Sequence, residues 1–195
     1  MKAAKAGTVR IIAGEWRGRR LPVPDLPGLR PSGDRSRETL FNWLQTHMAK
    51  AHCLDLFAGT GVLGLEAMSR GAASLVLVEK SRATATALRD SVKKLSSLEP
   101  GDRIEVVEAD ALRWLESPPR RRFDLVFLDP PFGQGLIEAA LRALLAGGHL
   151  QPDALVYLES ARNEAIALSP GEWESLRDKT LGEVRMQLLR PQLLE

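Results

Sequence analysis

Asp129-Pro130-Pro131-Phe132 stands directly after the apolar run Phe123-Asp124-Leu125-Val126-Phe127-Leu128. A buried strand ending there delivers a carboxylate, two rigid prolines and an aromatic ring to one point. Those groups suit methyl transfer to an exocyclic amine on a base. Such a nitrogen is a weak nucleophile because its lone pair is delocalised into the ring. The Asp129 carboxylate and the Pro130 carbonyl are natural acceptors for its two N–H groups. They would align the nitrogen with a methyl–sulfur bond and favour the charge that develops during attack. Pro130 and Pro131 restrict the turn, and Phe132 can stack on a base taken out of its helix or loop. The chemistry requires neither a metal nor a dedicated histidine base. The structural alternative is a proline-rich turn with Asp129 as a cap and Phe132 in the core.

A second strand-to-loop delivery lies upstream, in Cys53-Leu54-Asp55-Leu56-Phe57-Ala58-Gly59-Thr60-Gly61. Gly59-Thr60-Gly61-Val62-Leu63-Gly64 satisfies G-x-G-x-x-G between an expected strand and an expected helix, and Glu79 lies twenty residues beyond Gly59. That is the context of a dinucleotide-binding loop, with Glu79 on ribose hydroxyls. Asp55 tilts the choice of ligand. A carboxylate beside the loop opposes a pyrophosphate but favours a sulfonium cofactor that carries an ammonium group. Asp55 can equally cap loop N–H groups. Asp110, after the third strand, can accept from an adenine amino group or cap a helix, or do both with different oxygens. Asp124 reads as structural. The single cysteine, Cys53, reads as a buried side chain, and His47, His52 and His149 lack metal-ligand spacing.

These residues must be held by an alternation of strands and helices. The pattern predicts strands over 52–57, 75–78, 104–107, 123–128 and 155–158. Helices are expected over 62–70, after the second strand through about residue 97, over 111–115 and over 135–146. This order implies a doubly wound, mostly parallel α/β sheet. Glu172–Asp178 and Glu183–Leu189 predict a hairpin that adds an antiparallel strand. Before residue 51 the pattern differs. Two extended pieces, 9–14 and 17–21, flank Trp16, then an extended connector spans 22–34. A helix follows over 35–48, capped by Asp34. The expected division is a basic hairpin-plus-helix extension over 1–50 and a catalytic domain over 51–195.

The chain has 195 residues, enough for one substantial core, and 44% of them are hydrophobic. No apolar stretch approaches the ~18 residues of a membrane span, and no long apolar segment follows the basic start, which disfavours a secretory signal. A cytoplasmic, monomeric protein is expected. The net charge of +2 is unevenly spread: residues 1–40 carry nine Lys/Arg against four Asp/Glu. That asymmetry can steer a polyanion to one face. Arg10, Arg17, Arg19, Arg20, Arg35 and Arg37 are the candidate contacts. Arg120-Arg121-Arg122 reads as a solvated turn or a further phosphate contact.

Two N-terminal blocks carry a more specific signal. They are Arg10-Ile11-Ile12-Ala13-Gly14-Glu15-Trp16-Arg17-Gly18-Arg19 and Arg30-Pro31-Ser32-Gly33-Asp34-Arg35-Ser36-Arg37-Glu38-Thr39-Leu40-Phe41-Asn42. With the glycine loop and the Asp129–Phe132 motif, they make the chain resemble the bacterial AdoMet-dependent methyltransferases that modify N2 of a guanine in small-subunit ribosomal RNA. The family usually has Thr-Pro at Ser32-Gly33 and Val at Ser36. The resemblance implies a Rossmann-like methyltransferase fold and S-adenosyl-L-methionine as cofactor. It implies cofactor contacts from Asp55, Phe57, Gly59, Gly61, Glu79 and Asp110, and catalysis by Asp129, Pro130, Pro131 and Phe132. It also implies small-subunit ribosomal RNA, with ribosomal proteins of the small subunit, as partner. A DNA adenine-N6 methyltransferase and a noncatalytic RNA-binding assembly factor are the alternatives.

Overall fold

A computed structural model describes residues 7–23, 33–95 and 103–192. The connector prolines Pro24 and Pro27, the block Arg30-Pro31-Ser32 and the break at Pro100-Gly101 lie outside the described residues. The elements run β1 (Thr8–Arg10), β2 (Arg20–Pro22), α1 (Asp34–Trp43), β3 (His52–Asp55), α2 (Val62–Ser69), β4 (Ser74–Glu79) and α3 (Arg82–Leu95). Then come β5 (Ile104–Glu108), α4 (Ala111–Leu115), β6 (Phe123–Leu128), α5 (Leu136–Ala146), β7 (Leu150–Ala161), β8 (Trp173–Leu181) and β9 (Val184–Pro191).

Seven strands form one sheet in the order β5-β4-β3-β6-β7-β9-β8. Strands β3 to β7 are mutually parallel, and β9 is antiparallel to both β7 and β8. The antiparallel strand expected from the tail is therefore β9, inserted between β7 and β8. Crossovers from β3 lead one way to β4 and β5, and β6 begins the other half. The order reverses between β3 and β6, where a crevice opens at the carboxyl ends of an α/β sheet.

Several boundaries differ from the sequence pattern for physical reasons. The first parallel strand stops at Asp55. Beyond it Leu56 N–H donates to the Phe127 carbonyl at 3.2 Å and Ala58 N–H to the Val78 carbonyl at 3.0 Å, so the chain turns between both neighbours. Strand β7 is longer than expected. It pairs with β6 on one side and continues past Leu158 along β9, from Glu159 opposite Met186 to Ala161 opposite Val184. Helix α1 is shorter than expected, and its N-cap is Gly33, with no side-chain cap. Asp34 instead accepts from Arg10 Nε at 3.1 Å and Arg37 Nη2 at 2.5 Å.

The two faces of the sheet bury separate apolar clusters, as the alternation of side chains requires. Leu54, Val126 and Leu158 face one cluster with α4 and α5. Leu125, Phe127 and Tyr157 face the other, and Ile11, Trp16, Leu40 and Phe41 from the first fifty residues complete it. The N-terminal stretch thus shares a core with the sheet.

A buried ionic hub fixes it there. Glu66, on α2, is fully buried. Its Oε2 accepts from Ile12 N–H at 2.7 Å and its Oε1 from Ala13 N–H at 2.9 Å. Arg37 Nη1 lies 3.4 Å from Oε2, and Arg70 Nε donates to Oε1 at 2.8 Å. Nearby, Trp16 N–H donates to Ser69 Oγ, and Ser69 Oγ donates to the Ala13 carbonyl. Gly14 makes this approach possible: a Cβ there would sit 1.9 Å from the Ser69 carbonyl oxygen, and its φ is +83°.

Removing Glu66 leaves a buried guanidinium and two backbone N–H groups without their acceptor. Glu66→Ala should therefore lose about 3–5 kcal/mol of stability, measured by denaturant titration. A loss below about 1 kcal/mol, within the range of an exposed pair, would show that the hub is dispensable.

Candidate active site

The glycine loop leaves β3 at its carboxyl end and opens α2. Gly61 has φ +73°, and a Cβ on it would meet Leu88 Cδ1 at 2.4 Å. Both backbone conformation and space therefore require glycine. Gly64 has a different reason: a Cβ would press into Leu75 and Leu77 of β4, at 2.8 and 2.9 Å. The third glycine permits close helix–sheet packing.

The acids around this loop hold backbone. Asp55 is buried, and its Oδ2 accepts from Gly64 N–H at 3.2 Å. Burial raises its carboxyl to about 7; hydrogen bonds from the Gly64 and Phe57 N–H groups oppose the rise, and Glu79 adds to it. The carboxyl is engaged with the loop's own backbone, and near neutral pH its charge is only partly present. Glu79 bridges the loop and the next turn, accepting from Gly59 N–H at 2.9 Å and Ser81 N–H at 2.6 Å. Each carboxylate oxygen has a second lone pair for a ribose hydroxyl.

Asp110 divides its oxygens. Oδ1 caps α4 through Leu112 and Arg113 N–H groups at 3.1 and 3.3 Å, and Oδ2 accepts from Lys80 Nζ at 3.0 Å. The lysine hydrogen bond is the largest influence holding this carboxyl below its ordinary range. Phe57 is half-buried against the apolar cluster beside α4. The turn after β3, the end of β4 and the start of α4 thus form a rim of glycine backbone and carboxylates. It suits a nucleoside with a cationic side chain, so the donor set fits S-adenosyl-L-methionine.

Across the switch point, Asp129 follows β6. Pro130 is buried, while Pro131 is exposed and Phe132 is 44% exposed, the one large hydrophobic so exposed among the described residues. A core role for Phe132 is thereby overturned. Asp129 and Phe132 line a cleft of about 400 Å³. Its other walls include Gly33 and Ser36 of the α1 start, Glu159 of β7, and Asn163 and Glu183. Glu164 ties the two sides of its mouth, accepting from Gly133 N–H at 3.3 Å and Ala161 N–H at 3.2 Å.

Sequence reasoning missed Glu159, Ser36 and Asn163. Glu159 alone had a readable signal, an acid two residues beyond Tyr157 at the end of an apolar strand. Asp124 is structural, as expected: its Oδ2 accepts from His52 N–H at 2.8 Å. Cys53 is buried, which raises its thiol. Among the described residues no group of three or more His, Cys, Asp or Glu is placed to hold a metal.

The arginines do not behave as one set. Arg10, Arg17, Arg19, Arg20 and Arg35 are exposed, although Arg10 is paired with Asp34. Arg37 is fully buried, bonded to the Arg10 carbonyl, Asp34 and Glu66. Its assignment as an RNA contact is corrected: it secures the extension. Arg121 reaches His52 and Ser74, at the edge of the sheet opposite the candidate site.

Comparison with known proteins agrees with this geometry. Residues 9–190 match the family model described as Conserved hypothetical protein 95. The chain belongs to this family. It is 45% identical to Ribosomal RNA small subunit methyltransferase D of Escherichia coli strain K12, over 94% of this chain and 90% of that protein. With the protein of the same name from Haemophilus influenzae the identity is 43%, over 93% of each. Among solved structures, Escherichia coli yhhF superposes with a TM-score of 0.84 at 42% identity, covering 96% of this chain and 100% of that one. A hypothetical protein of Thermus thermophilus gives 0.76 at 32% identity, covering 92% and 98%. The fold is the Rossmann-like methyltransferase fold.

The raised carboxyl of Asp55 has a consequence for stability. Between its ordinary 3.8 and about 7, the folded chain keeps a proton that the unfolded chain releases. The unfolded state binds fewer protons there, so this group makes stability fall as pH rises through that window. Asp55→Asn should show a flatter pH dependence of unfolding free energy than the wild type between about pH 4 and pH 7. Parallel curves for the two proteins would show that Asp55 does not titrate in this range.

Proposed function

We propose that this protein transfers a methyl group from S-adenosyl-L-methionine to the exocyclic N2 of a guanine in small-subunit ribosomal RNA. The observation that carries the reading is that the Gly59–Gly61 loop follows β3 while Asp129 and Phe132 follow β6, and these are adjacent parallel strands ending on one carboxyl edge. The full-length likeness to proteins named Ribosomal RNA small subunit methyltransferase D supports the choice of RNA. The proposed setting is the cytoplasm, where a monomer acts on an assembled or partly assembled particle. Ribosomal proteins of the small subunit would supply part of the docking surface.

When bound, the cofactor supplies an electrophilic methyl on a sulfonium, whose sulfur leaves as a neutral thioether. The protein's part is to place the acceptor. Glu79 and the Gly59 and Gly61 backbone would hold the ribose side, and Asp110 the adenine amino group. Phe132 would stack on the extruded base. Asp129 and the Pro130 carbonyl would accept the two amino hydrogens, turning the nitrogen lone pair toward the methyl carbon. Asp129 would stabilise the positive charge that develops on this nitrogen as it accepts the methyl, and the extra proton would pass to solvent. Residues 1–50 would form the RNA-binding extension of a catalytic domain over 51–195, with Arg10, Arg17, Arg19, Arg20 and Arg35 toward phosphates.

Labelled-methyl transfer to small ribosomal particles, followed by nucleoside identification, tests the acceptor directly. Label on DNA adenine, or none on RNA, would reject the reading. Asp129→Asn should slow single-turnover transfer by ~10²-fold or more while cofactor affinity changes little. A near-normal rate in the folded variant would remove Asp129 from this role. The paired variant Arg17→Ala and Arg19→Ala should bind RNA more weakly, with a salt slope shallower by roughly 1 to 2. An unchanged slope would exclude phosphate contacts at those two positions.

A further inference from the structure

Three acids line the cleft beside Phe132: Asp129 just after β6, Glu159 of β7 and the exposed Glu183 between β8 and β9. Only Asp129 has a task in the transfer step, and of the other two Glu159 is the one held inside the fold, 4% exposed yet lining the cleft. Strand alternation puts Tyr157, Glu159 and Ala161 on one face of β7. Tyr157 is fixed deep in that face: its ring lies edge-on to Phe127 at 6.4 Å, and Phe127 contacts Phe41 of α1 at 6.2 Å. The Tyr157 hydroxyl donates to Glu159 Oε1 at 2.6 Å. Burial, then Glu159, then Asp129 raise the phenol well above its ordinary range, so it stays protonated and remains a donor. A carboxylate has roughly four lone-pair sites and can accept several hydrogen bonds at once. Placing an acid in a nearly buried position is costly unless polar partners offset it. Here the acid is oriented by a rigid aromatic stack onto the wall of a cavity whose rim carries an exposed ring.

We propose that Glu159 is the residue that selects guanine, accepting the N1–H of the base while Asp129 and the Pro130 carbonyl accept the hydrogens of N2. The inference rests on the guanine-N2 reading given above. Guanine presents N1–H beside its amino group, so adjacent donors meet two carboxylates on one wall. Adenine presents a lone pair at N1 beside its amino group, and a carboxylate there meets an acceptor. A site built to bond a substrate N–H rejects an analogue lacking it far more strongly than a pocket that reads only shape. Tyr157 acts as a positioning residue in this arrangement, since it touches the carboxylate and not the base.

The decisive substrate is 2-aminopurine, which keeps the 2-amino group but has a lone pair at N1. Small particles are reconstituted with RNA carrying guanine or 2-aminopurine at the mapped methylated position. The wild type should favour guanine by on the order of 10²-fold in kcat/KM. In Glu159→Gln the amide oxygen can still accept from Tyr157 while the amide N–H₂ faces N1. This variant should lose activity on guanine, and its preference over 2-aminopurine should collapse to within about tenfold or reverse. A folded Glu159→Gln enzyme that keeps the wild-type preference overturns the inference. Should that variant fail to fold, Glu159→Asp retains the charge but withdraws it from the base. Its preference should also shrink, and an undiminished preference overturns the inference equally. Failure of the wild type to methylate guanine N2 at all would instead reject the underlying function.

Discussion

The structure depends on one buried carboxylate on α2. Glu66 gathers two backbone N–H groups of the N-terminal stretch and two guanidinium groups, one of them fully buried. Removing these charges from water is costly, and only mutual pairing and complete hydrogen bonding offset that cost. The constraint this imposes is geometric. Residues 10–13, the start of α1 and the middle of α2 can satisfy their polar groups together in few arrangements. That juxtaposition brings Gly33 and Ser36 to the cleft wall. A hub of this kind adds positional definition to a region whose β1 and β2 have only three residues each.

A second chain of contacts runs across the sheet to the cleft. Phe41 of α1, with the Arg70 guanidinium 4.6 Å from its ring centre, contacts Phe127 of β6, which contacts Tyr157 of β7. Because β6 and β7 are adjacent and parallel, Phe127 sits opposite Tyr157 in the register. Asp129 and Glu159 are each two residues further on, so both acids arrive at the same edge on neighbouring strands. Extension, sheet and cleft are therefore mechanically one piece, which suits a reaction that demands precise alignment of a poor nucleophile.

The carboxylates around the glycine loop are tied first to the loop's own backbone. Asp55, Glu79 and Asp110 sit at successive strand ends, where the motif spacing puts them. Each spends at least one oxygen on backbone N–H groups that the loop turns would otherwise leave unpaired. A loop held in this way is preorganised before any ligand arrives, which reduces the ordering cost of binding. Asp55 is the extreme case, since its burial favours the protonated acid over the anion.

Local pattern made much of this legible. Alternating strand and helix periods, the glycine loop and the Asp129–Phe132 motif are written in neighbouring residues, and the sheet, its parallel sense and the ends that carry the motifs follow from them. The resemblance carried by residues 10–19 and 30–42 pointed to the family. What tertiary structure alone decided was burial and partnership across long separations. Arg35 and Arg37 are two residues apart in one helix, yet the first is in solvent and the second is sealed against Glu66. The cleft draws on residues near 33, 129, 159 and 183. Charge and hydrogen-bonding capacity belong to a residue type and are visible in sequence. Whether that capacity faces water, backbone or a ligand depends on which distant segments pack around it, and no local period encodes that.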